Sequence, residues 1–212
     1  AVDEPWHFIN PDDPNDTALL EMIDGHIGNL VKALRTNNSE RAAFEAAWMA
    51  HAITDGLTPA HHFPLEQAMA ELRGGEGLET RTSILKKNLM KGDNGIELIK
   101  NNWKFWGAKG MMTTHVAFEA GVASVVSYPR FKDAIPSDDE ILQVKNHGYR
   151  EYYLDQVHAV ASMKMYDNFI KSGWTTDLAW QTNHELMPII IKSVMLGWLA
   201  SVWKLEAEKS ES

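Results

Sequence analysis

Apolar positions recur at helical spacing along almost the whole chain. Asp16 or Thr17 is placed to cap a helix running to about Arg35, with Leu19, Leu20, Ile23, Ile27, Leu30, Val31 and Leu34 as its apolar side. Asn37-Asn38 reads as a turn. Ser39 reads as the N-cap of a second helix to about Asp55, ended by Gly56 to Pro59. Further helices are predicted over Leu65 to Arg73, Thr80 to Met90, Ile96 to Trp106 and Thr114 to Ser127, the last stopped by Pro129. Gly107 to Thr113 is the expected loop between the last two. Ser137 and Glu140 form a capping box that opens a long helical region to about Lys171, notched at Gly148 and ended by Gly173. Asp177 to about Glu208 holds the last helix or pair of helices, with Pro188 as a boundary or kink. Pro5, Pro11 and Pro14 keep the first stretch out of a helix. No stretch alternates with period two for long, so the expected fold is all-α. It is a multi-helix single domain over residues 1–208, with 209–212 as a frayed tail.

Composition narrows the function classes. The chain has 212 residues, is 44% hydrophobic and holds 8 Trp and 10 Met, ample for a core. Its formal net charge of -9 argues against stable binding to long nucleic acid or to anionic membranes, because such binding releases counterions through Lys and Arg. There is no Cys, so any metal must be held by His, Asp and Glu. The apolar run Met187 to Trp203 is interrupted by Pro188 and Lys192 and falls short of a span of roughly 20 residues. A buried core helix is expected there rather than a transmembrane segment.

Candidate chemistry lies in two i, i+4 pairs. On a helix from Ser39, the residues Phe44, Trp48, His51 and Asp55 fall at about 0°, 40°, 340° and 20°. The aromatic turns of that side suggest a core face, whose last turns then present imidazole and carboxylate. Burying these without partners costs several kcal/mol per group. The helix from Thr114, extended back one turn, puts Met111, His115, Phe118, Glu119, Val122 and Val126 within about a 100° arc. The same anomaly on two helices suggests that the pairs face one buried centre. His61 follows the Pro59 turn, which lets it swing back over the helix end, and His7 lies between prolines in an extended segment. Either pair alone reads as a helix-end ion pair; together, with His61 beside one, a metal site and a structural role stand level. His62 reads as a solvent-facing neighbour of His61, and His26, His147 and His158 as surface or core histidines. His184-Glu185 reads as helix capping, and Asp12 and Asp13 as turn formers.

His51-x3-Asp55-x5-His61, with Pro59 two before the last His, followed by His115-x3-Glu119, resembles the zinc-dependent phospholipase C family and the related zinc-dependent single-strand nucleases. The segment His7-Phe8-Ile9-Asn10-Pro11-Asp12 resembles the His-Phe stretch that supplies a further ligand there. The similarity covers roughly His7 to Val126. It implies the all-helical fold of that family and a zinc cluster. His7, His51 and Asp55 would belong to one zinc, with Asp55 bridging to a neighbour and serving as the catalytic carboxylate. His61, His115 and Glu119 would hold another. Zinc lowers the pKa of bound water to about 7 and clamps phosphoryl oxygens, which suits hydrolysis of a phosphodiester such as a phospholipid head group or a nucleotide. Phe8 stands where the nucleases have an aromatic that can stack a base, or is a core residue. The resemblance also implies an extracytoplasmic or secreted protein.

The pattern departs from the family in two places. The family uses its own first residue, a nearby His and an Asp ahead of the His-Phe segment; here only six residues precede His7 and none is His. Two zinc ions are therefore expected, a third only with ligands from outside this chain segment. The gap between His61 and His115 is long, which marks 74–110 as an insertion over or beside the substrate cleft. The expected function is a phospholipase C-like zinc hydrolase of phosphodiester bonds. Its rivals are a non-catalytic helical scaffold that keeps a structural zinc, and a zinc nuclease.

Overall fold

The computed structural model describes residues 7–210, apart from 64, 77–81, 84, 85, 87, 128–130, 132 and 133. The described chain is all-helical, with no strand among the described residues. Helix α1, Ala18–Arg35, turns back through Asn37 at a φ of 52° into α2, Ser39–Gly56. These two pack against each other more extensively than any other pair. The α2 cap is Asn38 rather than the expected Ser39: its side chain accepts the Arg41 N–H at 3.0 Å, so Ser39 is already helical. A 3₁₀ turn, Pro59–His62, follows, and then α3, Leu65–Leu72. The expected helix at Thr80 to Met90 and the stop at Pro129 fall largely outside the described residues.

Helix α4, Gly95–Trp106, is capped by Asn94, which accepts the N–H groups of Ile96 and Glu97. Helix α5, Met111–Val126, begins within the expected loop because Gly110 serves as N-cap and its carbonyl accepts the Thr114 N–H at 2.8 Å. The region predicted as one long helix is three: α6 Asp138–His147, α7 Tyr149–Ser162 and α8 Met165–Ser172. The capping box at Ser137 and Glu140 is present. Gly148, at a φ of 91°, makes the first break, and Lys164, in left-handed conformation, the second. Gly173 ends α8 as expected.

Helix α9, Thr176–Gln181, runs through a π turn, Thr182–Leu186, into α10, Met187–Ser210, beyond the expected end near Glu208. Pro188 explains the π turn. It has no N–H for the His184 carbonyl and its ring crowds that turn, so the backbone widens instead of stopping. By length and composition alone, Thr176–Ser210 is apolar enough to cross a membrane, with a mean hydropathy of 1.6 over its most apolar window. In the fold it packs on α1, α2 and α7 and buries Ile190, Ser193, Leu196, Gly197, Ser201 and Leu205.

The main core joins α1, α2, α7 and α10 through Leu19, Ile23, Met49, Ile53, Tyr152, Tyr153 and Leu196. Two buried tyrosines donate to backbone carbonyls, Tyr149 to Ser193 at 2.9 Å and Tyr153 to Ile53 at 3.2 Å. A smaller cluster of Met69, Met90 and Phe105 lies against Phe8, Phe63, Met111 and Met112. Helix α4, in the stretch read as an insertion, belongs to that smaller cluster. Gly56 closes α2 where a Cβ would overlap the Tyr153 hydroxyl and Leu19. Its missing side chain lets α1 and α7 close on the end of α2, one residue after Asp55.

Candidate metal centre

Four pieces of chain meet at the end of α2. The N-terminal segment is held by backbone and turn chemistry. Ile9 donates its N–H to the His61 carbonyl at 3.2 Å, Asn10 donates its N–H to Asp16, and Asp13 accepts the N–H of Asn15. Asp13 is thus a turn former, as its type suggests. These bonds bring His7 over the last turn of α2, which carries His51 and Asp55. The 3₁₀ turn brings His61, and α5 brings His115 and Glu119.

The residues sort into two groups. His7, His51 and Asp55 form one, and His61, His115 and Glu119 the other; in each, the candidate ligand atoms lie within 4.8 Å of one another. Either group could hold a metal ion. In the first, His7 Nδ1 and His51 Nε2 both approach Oδ2 of Asp55, the latter at 3.2 Å. In the second, His61 Nε2 and His115 Nε2 both approach Oε1 of Glu119, at 3.1 and 3.2 Å. The groups adjoin, since His61 Nδ1 stands 4.0 Å from Oδ1 of Asp55.

The donor chemistry fits a cation. His61 donates its Nδ1–H to the His7 carbonyl at 2.7 Å, which leaves the Nε2 lone pair facing a carboxylate oxygen. Two acceptors at that distance repel unless a second proton or a metal ion lies between them. Nδ1 of His115 is buried without a hydrogen-bond partner. A metal on the imidazoles relieves the first strain, and N/O ligation of this kind suits zinc among the common ions. With a proton rather than a metal ion between the groups, hydrogen bonds from His115 and His61 hold the Glu119 carboxyl far below its ordinary range, at about 2, so it stays ionised.

The surroundings are aromatic. The His61 and His115 rings stack at 5.0 Å between centroids, and Phe8 lies 5.2 Å from His61 and 6.2 Å from His115. Phe8 therefore covers the second group as a partly buried residue. Trp48 meets His51 edge-on at 5.5 Å. Tyr166, near Glu119, has its hydroxyl pushed up to about 12 by burial and by the Glu119 charge. A pocket of about 490 Å³ runs along α5 and α8, lined in part by Phe63, Met111, Thr114, Tyr166 and Ile170.

Two readings of the sequence are corrected here. The stripe of Phe44, Trp48, His51 and Asp55 is not a core face: Phe44 is 47% exposed and His51 also faces solvent. The core side of α2 is Ala42, Glu45, Met49, Ala52, Ile53 and Gly56, which packs towards α1 and α10. On α5, His115 and Phe118 are buried, while the Glu119 side chain is 43% exposed. His62 is not solvent-facing: it is half-buried, its Nε2 lies 2.8 Å from the Gly56 carbonyl, and burial lowers its pKa. His26 is a partner of Glu45 at 2.6 Å, His147 is an exposed neighbour of Glu151, and His158 is exposed. His184 donates to the Trp180 carbonyl within its own helical turn and stacks on that ring.

Glu45, absent from the candidate residues above, is a wholly buried carboxylate paired with His26 and Arg41. Its spacing from Ala42, Met49 and Ala52 was the available signal. Nothing in the spacing of Tyr166 or Phe63 marks them in the sequence. In comparisons with known proteins, no family model, no curated protein and no solved structure matches this chain.

Proposed function

We propose that the protein is a zinc-dependent hydrolase of phosphodiester bonds, of phospholipase C type, working outside the cytoplasm. One observation carries the reading. Two three-ligand groups of imidazole and carboxylate adjoin through Asp55 and His61, in the order the family resemblance implies. His7, His51 and Asp55 would hold one zinc, and His61, His115 and Glu119 a second. When bound, zinc supplies Lewis-acid charge that offsets phosphoryl oxygens and activates water near neutral pH.

The chain's own residues prepare that chemistry. The His7 carbonyl fixes the His61 tautomer and aims Nε2 at Glu119. Glu119 stays a carboxylate across the working range. Asp55 lies between two imidazoles at the end of α2 and is the candidate catalytic carboxylate, shared by both groups. Phe8 limits water at His61 and His115. Tyr166 keeps its proton at neutral pH and lines the adjoining pocket, where it can donate to a substrate oxygen. The secreted location rests on the family resemblance alone.

A second reading is a helical scaffold with structural zinc. In its favour, the six residues tie the N-terminal segment, α2, the 3₁₀ turn and α5 together. Assay of phosphatidylcholine and single-stranded DNA hydrolysis, with and without chelator, separates the readings. Chelator-sensitive release of a phosphorylated head group supports the proposal. Turnover of DNA alone makes the protein a zinc nuclease. A chelator that lowers the melting temperature while neither substrate is cleaved leaves the scaffold reading standing.

A further inference from the structure

Helix α4 carries an apolar stripe that is largely exposed. Ile96, Ile99, Trp103 and Trp106 recur at i, i+3, i+7 and i+10, so they occupy about 80° of the helix surface. Their exposures are 82%, 71%, 70% and 45%. The opposite side is anchored: Phe105 is buried with Met69 and Met90, and Asn101 and Asn102 donate to backbone carbonyls. Within the stripe, the Trp106 indole N–H is tied down, to the Asn88 carbonyl. The helix is thus fixed with its most apolar residues outward. Leaving such a patch in water is unusual for a monomer and marks a docking surface.

Charge decides what docks. Lys100 and Lys104 flank the stripe at about 40° and 80° from Ile96, and Lys109 follows the helix end. All three are exposed and make no ion pair among the described residues. The one acidic residue of the helix, Glu97, accepts the Asp93 N–H. Against Asp93 and Glu97, the three lysines leave a small positive excess beside two tryptophans on a chain of net charge -9. Tryptophan seats itself at the boundary between lipid head groups and acyl chains, and Lys favours anionic lipid. A second copy is a poor occupant. An isologous pairing of this short helix would set Lys100 and Lys104 near their own copies.

We propose that α4 is an interfacial membrane-docking helix that inserts Ile96, Ile99, Trp103 and Trp106 into a bilayer containing anionic lipid. The net charge of the whole chain pointed away from anionic membranes; the local arrangement reverses that expectation for this face. The anchored side of α4 faces the surroundings of the candidate metal centre, since Phe105 and Phe8 share one cluster and Phe8 lies against His61 and His115. The docking inference does not depend on the hydrolase reading and is tested without any activity.

The test is cosedimentation of the full chain with vesicles of phosphatidylcholine and phosphatidylglycerol in equal parts. The protein should pellet with them, less so as salt is added. Ile99→Asp combined with Trp103→Ala should lower the partition coefficient by about tenfold or more, with the circular-dichroism spectrum unchanged. Lys100→Glu combined with Lys104→Glu should act in the same direction. Should either variant fold poorly, quenching of the natural chain's tryptophan emission by brominated lipid reads insertion directly. A wild-type chain left in the supernatant and unquenched, or variants that pellet as well as the wild type, would overturn the proposal. So would a wild-type dimer that Ile99→Asp dissociates and that takes up no vesicles.

Discussion

The Nδ1–H of His61 donates to the backbone carbonyl of His7 at 2.7 Å, across 54 residues of chain. One imidazole thereby serves both ligand groups. It pins the segment that delivers His7 and turns Nε2 towards Glu119. His61→Ala is expected to weaken zinc binding at both groups, whereas His115→Ala should affect only one. Loss of an orienting partner typically costs about 10–100-fold in metal affinity. Competition with a chelating dye, read as two binding steps, checks this; a His61→Ala chain with one step untouched would contradict it.

Metal binding by these groups should be proton-linked, because ligand imidazoles must give up their protons. Removal of zinc by chelator is expected to loosen the N-terminal segment first. His7 to Asp16 are held to the rest by few hydrogen bonds. Amide exchange with and without chelator should show lost protection at Ile9 while the amides of α1 and α10 stay protected.

Gly56→Ala should destabilise the fold by about 2 kcal/mol, the ordinary range for overpacking. A Cβ at that position overlaps the Tyr153 hydroxyl and Leu19. Urea denaturation measures the loss. Because Asp55 is the preceding residue, metal affinity should fall as well.

Alkali should unfold the protein through its tyrosines. Burial raises the pKa values of Tyr149 and Tyr153, and raises Tyr152 from 10.0 to about 12. A group whose folded pKa is raised holds its proton better when folded. Its contribution is complete below the unfolded value and is lost as pH rises. Stability should therefore be level up to about pH 10 and fall steadily towards pH 12. Tyr152→Phe should make the decline shallower in pH-dependent urea titrations.

The wholly buried Glu45 gives a fourth site to probe. It pairs with His26 on α1 and Arg41 on its own helix. Glu45→Ala leaves a half-buried imidazole without its partner and should cost about 3 kcal/mol. His26→Ala added to it should cost little more, a non-additivity that a double-mutant cycle detects.

Helix positions were legible because each rests on neighbours in sequence. The α1 stripe, the Ser137–Glu140 box and the Gly173 stop all appear where periodicity and capping chemistry placed them. Less legible was which side of α2 faces inward. Phe44 and Trp48 are larger and more apolar than Ala42 and Ala52, yet the small residues admit α1 and α10 closely and the aromatic side stays outside. The exposed stripe of α4 was hidden for the same reason, since Trp103 and Trp106 look like core residues in a sequence.

By itself, then, the sequence determined the all-helical order and the two i, i+4 pairs, His51 with Asp55 and His115 with Glu119, because helical pitch alone sets those neighbours. Tertiary structure decided the rest. Only the return of the 3₁₀ turn over α2 joins the pairs through His61, and only the extended segment from His7 to Ile9 completes the first group. Contacts between residues tens of positions apart depend on how helices pack, and packing follows side-chain volume and shape over the whole core.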